Sequence, residues 1–427
     1  MIEPSTIPPI ASTIAAVATS AQRSASERAT RWLMVTRATT APKSYFSRPD
    51  LSPARPYTWP VDLDIVFLGT SGSVPTARRG LAGTLVRRGG DRILFDCGEG
   101  TQRQLLRSTV GLVELPDVFL THYHADHYLG LPGMLKTFAL RGREVPLTVY
   151  GPPGLVDLFT VLRRIFGKLT YEVDLCELRP GEGSDRGDYR IFAFAVEHGV
   201  ASNGYCLAEN PRPGRFDVET ARSLGVPEGP LFGRLQAGEI VDVPGGGTVV
   251  PEQVLGPPRA GRKIVLAGDT RPAAEVLDVA READVLVHEA TFASEEQERA
   301  DETLHATATG AAELARAAGV KMLALTHLSN RYFGPEIARE ARTAFAETVV
   351  PRDFDIIDVR FPERGGPRLV KGGALGRREE AEAHGGDGAA GSGEESRGGR
   401  GDSDDPELGR NRIGARAGRR PASDPAR

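Results

Sequence analysis

Three imidazoles and a carboxylate fall within six residues of this chain, His122-Tyr123-His124-Ala125-Asp126-His127. The 427 residues hold only 8 histidines, so the cluster does not come from a generally histidine-rich surface. His122 and His124 are two positions apart and point the same way if the segment is extended, so both can bind one cation through imidazole nitrogen. Asp126 and His127 then turn toward a second position. Nitrogen and oxygen donors of this kind suit zinc, and an incomplete protein shell leaves a coordination place for water. Mn²⁺ or Fe²⁺ fits the same donors.

The elements around the cluster must present it at an edge. The apolar run Val118-Phe119-Leu120 reads as a buried strand, with the cluster on the loop at its C-terminal end, where α/β architectures place chemistry. The pattern of a strand followed by a polar group recurs. Leu63 to Leu68 precedes the tight polar loop Gly69 to Thr76. Gly83 to Arg87 and Arg92 to Phe95 form a hairpin around Arg88-Gly89-Gly90-Asp91 and lead to Asp96. Ile191 to Val196 precedes His198, Ile264 to Ala267 precedes Asp269, the run from Asp284 leads to Glu289, and Met322 to Leu325 precedes Thr326-His327. Helices are expected over Gly133 to Leu140, Leu155 to Phe166 and Ala306 to Ala317. The alternation implies α/β layers. Asp96 suits an N-cap for a helix within Gly98 to Arg107, or a group that orients the metal loop.

Composition narrows the function. The net charge of −4 excludes a generally basic nucleic-acid binder, so any RNA contact must rest on local groups. The three cysteines, Cys97, Cys176 and Cys206, have no paired spacing, which fits a reducing compartment and no disulfide framework. No apolar stretch is long enough to span a membrane. Residues 1–60, rich in Ala, Ser, Thr, Pro and Arg, are expected to be a disordered extension. Residues 371–427, dominated by Gly, Glu, Arg, Asp and Ala, are expected to be a disordered tail. Residues 61–370 are left as the folded domain, enough for one large core. Residues 207–256 are punctuated by Pro and Gly and interrupt the strand–helix alternation, as a surface insertion would.

His-x-His-x-Asp-His after an apolar strand resembles the signature of the metallo-β-lactamase superfamily. Leu68-Gly69-Thr70-Ser71-Gly72-Ser73-Val74-Pro75-Thr76 and Asp96-Cys97-Gly98-Glu99-Gly100-Thr101-Gln102 make the chain similar to the ribonuclease Z family of tRNA 3′-processing endonucleases, over about residues 61 to 365. Where that family has Arg-Asn after the Pro-Thr region, this chain has Arg78-Arg79-Gly80. The resemblance implies that residues 61–370 are a catalytic domain of α/β fold, the metallo-β-lactamase αββα sandwich, with residues 207–256 as an inserted exosite arm that clamps tRNA. It implies two Zn²⁺ per subunit, one held by His122, His124 and His198, the other by Asp126, His127 and His327, with Asp269 bridging. Catalytic roles fall to Asp126 as proton acceptor and to Glu289 with His305 as proton donor. Substrate contacts fall to Ser329, Arg331 and Tyr332 as a phosphate grip and to Gly229, Pro230 and Arg215 on the arm, where Arg212, Arg222 and Arg234 are further candidates to meet phosphates. Precursor tRNA is the implied substrate, a homodimer the implied assembly and the cytoplasm the implied location.

Two rivals share much of this pattern. A small-molecule phosphodiesterase, lactonase or arylsulfatase of the same fold has no need of the arm. A non-catalytic RNA-binding scaffold is expected to have lost metal ligands, whereas all seven are present here. Seven of the eight histidines lie in the core region and only His384 in the tail.

Overall fold

The computed structural model describes residues 61–112 and 115–372. The expectations for residues 1–60 and 373–427 lie outside the described residues. Lys371 and Gly372, placed in the tail above, belong to the body: both bond to Asp355, at 3.1 and 3.0 Å.

Apolar runs build two sheets. In chain order the strands are β1 (Leu63–Gly69), β2 (Gly83–Arg88), β3 (Asp91–Phe95), β4 (Asp117–Phe119), β5 (Leu147–Gly151), β6 (Val173–Glu177), β7 (Gly183–Asp185), β8 (Tyr189–Ala195), β9 (Asn203–Glu209), β10 (Val241–Asp242), β11 (Thr248–Val249), β12 (Lys263–Leu266), β13 (Val285–Glu289), β14 (Met322–Thr326), β15 (Thr348–Val349), β16 (Ile356–Asp358) and β17 (Arg368–Val370). One sheet runs β17-β16-β1-β2-β3-β4-β5-β6 and the other β15-β14-β13-β12-β9-β8-β7. The pairs β3–β4–β5–β6 and β12–β13–β14–β15 are parallel. Of these, β12, β13 and β14 are buried along nearly their whole length and read as apolar runs, whereas β5 alternates buried and half-buried residues.

The helices are α1 (Thr101–Arg107), α2 (Ala125–Tyr128), α3 (Gly130–Leu140), α4 (Leu155–Phe166), α5 (Val218–Ser223), α6 (Pro230–Gln236), α7 (Ala274–Ala280), α8 (Gln297–Thr303), α9 (Ala308–Ala318) and α10 (Gly334–Ala344). Leu155, Phe159, Leu162 and Phe166 of α4 are buried at helical spacing. Along α9 the buried residues are mostly alanines, which let the helix lie close to its sheet. Its first turn is capped by Thr307, whose side chain accepts from the Gly310 N–H.

The layers follow from the clusters. Ile65, Phe67, Ile93 and Phe119 of the first sheet meet Tyr205, Leu207, Ile264 and Val287 of the second in an inner core. Leu94, Val118 and Val149 face Leu135, Phe159 and Leu162 outside the first sheet. Val265, Leu286 and Leu323 face the alanines of α9 outside the second. This is the expected αββα sandwich. Phe119 stacks on Tyr150 at 4.2 Å between centroids and meets Tyr205 edge-on at 5.2 Å. Burying such a ring contributes about 1.5–3 kcal/mol, and here it lies three residues before His122.

Three sequence expectations are corrected. Helix α3 starts at Gly130, with Pro132 in its first turn where no N–H is needed. Asp96 caps no helix: α1 begins after Gly100 with no side-chain cap. The insertion is 210–262 rather than 207–256, because β9 pairs with β8 and β12 as far as Glu209. The arm has its own small core of Ala221, Val226, Leu235, Val241, Val249 and Val254. All three cysteines are buried.

Candidate active site

The parallel strands and β1 and β8 end at one edge of the sandwich, and the polar groups that follow them converge there. β4 delivers His122, His124, Asp126 and His127; β8 delivers His198; β12 delivers Asp269; β13 ends in Glu289; β14 is followed by His327. Asp269 Oδ2 lies 3.8 Å from His122 Nε2, 3.4 Å from His127 Nε2 and 3.2 Å from His327 Nε2. Asp126 Oδ2 lies 3.3 Å from His327 Nε2 and 3.6 Å from His127 Nε2. His198 Nε2 is 3.2 Å from His124 Nδ1. Two donor groups result, His122–His124–His198 and Asp126–His127–His327, each with ligand atoms within 4.8 Å of one another, and Asp269 faces both.

Neighbours fix which nitrogen each ring offers. His127 Nδ1 bonds to Asp96 at 2.8 Å, which turns Nε2 toward Asp269. The same carboxylate accepts from the Thr121 N–H and hydroxyl, so Asp96 ties the start of the metal loop to its end. His327 Nδ1 meets Thr291 Oγ1 at 2.9 Å, which leaves its Nε2 to the cluster. Such partners orient metal-binding rings. Asp96 and His327 both take left-handed backbone angles, φ 58° and 56°, a conformation that L-residues seldom adopt without surrounding constraint. Gly72 is required next to His327, since a Cβ there would lie 2.5 Å from its ring.

Electrostatics fits a cation. His122 is fully buried and its Nε2 has no hydrogen-bond partner. Burial, then the charge of His127, pushes its imidazole down to about 2, so it stays neutral with a free lone pair. Burial lowers His198 as well. Burial works against the ionised Asp269, but His327 and His127 outweigh it and hold the carboxyl well below its ordinary range. A buried carboxylate ringed by imidazole nitrogens is a donor set for a divalent metal. Burial works against ionised Asp126 too, but the His327 hydrogen bond and the His127 charge lower it overall. Its Oδ2 also accepts the Ser73 N–H at 2.8 Å.

At the rim, His305 Nδ1 bonds Glu289 Oε1 at 2.7 Å. Burial lowers His305, but the Glu289 hydrogen bond and charge raise it further, for a net rise. Glu289 also accepts the N–H groups of Thr270 and Ala306 and the Thr291 hydroxyl. Two positioning groups escaped the sequence reading. Thr291 bridges Glu289 and His327; its place two residues after Glu289 was the available signal. Asp353 accepts from Thr70 Oγ1, the Gly80 N–H and Gln104 Nε2 and braces the loop after β1, but it lies 273 positions from Gly80 and gave no local signal.

The substrate candidates are not among the donor groups. Arg331 Nη1 bonds Glu296 at 2.6 Å, and Tyr332 gives its hydroxyl to the same carboxylate. On the arm, Arg222 pairs with Glu219 and Glu228, and Arg234 with Glu239. Arg212 is held by Glu363 at the arm's root. Arg215 is exposed. Pro230 opens α6 with Gly229 before it at φ 125°.

The sandwich and its edge of histidines and carboxylates define a metallo-β-lactamase-fold hydrolase, and the metallo-beta-lactamase superfamily model matches residues 82–327. Ribonuclease Z of Methanosarcina acetivorans is 45% identical over 303 residues, covering 70% of this chain and 99% of that one. Ribonuclease Z of Natronomonas pharaonis is 47% identical over 308 residues, 71% of this chain and 100% of its own. The crystal structure of human tRNase Z, short form, aligns at 26% identity with a TM-score of 0.52, over 70% of this chain and 100% of that one. The chain belongs to the ribonuclease Z family and is a metal-dependent endoribonuclease.

Proposed function

We propose that this enzyme removes the 3′ trailer from precursor tRNA in the cytoplasm, with two zinc ions per subunit. The products are a tRNA with a free 3′-hydroxyl and a trailer with a 5′-phosphate. The observation that carries the reading is the convergence of seven donor side chains beside the Glu289–His305 pair. His122, His124 and His198 would hold one ion and Asp126, His127 and His327 the other, with Asp269 between them. When bound, such a pair supplies Lewis acidity that lowers the pKa of water and offsets charge on phosphoryl oxygens. Asp126, fixed by the Ser73 N–H, accepts the proton of the attacking water. His305, with Nδ1 on Glu289, turns Nε2 outward and protonates the departing ribose 3′-oxygen. Ser329, Arg331 and Tyr332 grip a phosphate once Glu296 gives way to it. Gly229, Pro230 and Arg215 meet the tRNA body. The tRNase Z name of the human relative supports this substrate. The homodimer is also a proposal, supported by exposed Val161 and Ile165 one turn apart on α4.

An end-mapped cleavage assay on one 3′-extended precursor tRNA tests the reading. Asp126→Ala and His305→Ala are each expected to slow cleavage by about 10²–10⁴-fold while precursor binding is kept. Chelation should abolish cleavage, and zinc should restore it. If the parent protein hydrolyses bis(p-nitrophenyl) phosphate but leaves the precursor uncut, the small-molecule reading replaces this one.

A further inference from the structure

The arm leaves the body at Asn210 and returns at Arg262, and its root is built in two tiers. The lower tier is buried apart from Asp188. Arg262 bonds Glu209 at 2.7 Å and the carbonyls of Val359 and Val61 at 3.0 and 2.7 Å, while Arg88 holds Glu209 and Asp188 at 2.8 and 2.7 Å. Above it the two neck segments pair with each other. Arg212 N–H donates to the Arg259 carbonyl at 2.7 Å, and Arg259 N–H donates back at 2.9 Å. Gly214 lies against Gly256, where a Cβ would come within 1.8 Å of the Gly256 oxygen. This ladder makes the neck one ribbon, but it does not fix the ribbon's angle to the body.

The upper tier joins both neck segments to the body. Glu363 sits on a short 3₁₀ turn, Pro362–Arg364. Its Oε1 takes Arg212 Nη1 at 2.6 Å and Arg259 Nη1 at 3.1 Å, one arginine from each neck segment. Beside it the Phe361 ring carries the Arg212 guanidinium at 3.6 Å and that of Arg262 at 4.3 Å. We propose that Glu363 is a positioning residue that pins the arm at a set angle, so that the arm meets the tRNA body with the scissile bond over the metal centre. The proposal rests on the reading of the arm as the tRNA clamp. The Arg212 hydrogen bond and the neighbouring arginine charges pull the Glu363 carboxyl down to about 2, so the pin stays ionised at any working pH. With 31% of its side chain exposed, Glu363 adds little to folding stability. Its effect lies in preorganisation, which lowers the ordering cost of binding.

The test uses full-length Glu363→Ala and Glu363→Gln. Glu363→Ala is expected to raise the apparent KM for a 3′-extended precursor tRNA by roughly tenfold with kcat nearly unchanged, the pattern of lost ground-state binding. Glu363→Gln, which keeps acceptor oxygen, should show a smaller rise. Hydrolysis of bis(p-nitrophenyl) phosphate should be unchanged, and hydrogen exchange at the Arg212 and Arg259 amides should quicken. A third protein, with residues 213–258 replaced by a hairpin turn between the paired Arg212 and Arg259, separates the two ideas. If it binds precursor as the parent does, the clamp reading fails and takes the pin with it. If it binds weakly while Glu363→Ala binds normally, the pin alone is overturned.

Discussion

Glu289 is buried and saturated with donors, and its charge sets the state of His305. Burial lowers the His305 imidazole, and Glu289 more than reverses that, so its value in the fold lies above the ordinary 6.5. A histidine raised in this way contributes stability that is complete below the unfolded value and lost as pH rises through the folded one. The protonated donor disappears over that same upper window. The alkaline limb of kcat for precursor cleavage should therefore fall above pH 6.5, and Glu289→Gln should move it to lower pH as well as slow the reaction. A pH–rate series on both proteins checks this, and an unmoved limb would remove Glu289 from the role. The cluster's identity was legible in the sequence because histidines are scarce and their spacing is local. The bond of Thr291 to His327 and the hold of Glu296 on Arg331 were not, since each depends on a partner that folding brings in, 36 and 35 positions away.

Strand ends carry the site, and β12, β13 and β14 were readable because burial along nearly their whole length makes them largely apolar. The loops between them are set by close backbone contacts that the sequence shows only as glycines. A Cβ on Gly130 would come within 2.1 Å of the Gly98 carbonyl oxygen, where the loop after β3 crosses the start of α3. Next to that crossing, Cys97 N–H donates to the His127 carbonyl at 2.7 Å and Gly130 N–H to the Cys97 carbonyl at 2.9 Å. Gly130→Ala should therefore cost about 1–3 kcal/mol by overpacking, read as a lower urea midpoint. Because the displaced backbone carries His127, metal content after dialysis should fall with it. Loss of stability with full metal retention would mean that the crossing supports the fold and not the donors. The same long-range dependence explains the misplaced arm boundary. Ala208-Glu209 look like loop in isolation, and only the pairing of Ala208 with Arg190 and Lys263 and of Glu209 with Tyr189 shows them to be strand.

At the scale of the molecule, the charge balance excludes bulk phosphate attraction as the basis of tRNA recognition. Between residues 210 and 262 six arginines face six carboxylates, so the arm is neutral. Recognition must then come from shape and placement, and placement depends on whether each arm serves its own centre or a partner's. Val161 and Ile165 of α4 are 62% and 67% exposed, and Leu140 at the end of α3 is 78% exposed. Exposed apolar side chains mark a docking surface when they form a patch, and the proposed homodimer would set one subunit's arm across the other's site. Ile165→Asp places a charge in that contact. The parent should sediment near twice its 45.7 kDa chain mass and the variant near the chain mass itself. Hydrolysis of bis(p-nitrophenyl) phosphate should survive the change, while KM for precursor tRNA should rise by roughly tenfold, since buried charge breaks an apolar interface without touching the chemistry. A parent that sediments as a single chain would instead require the arm to reach its own metal centre.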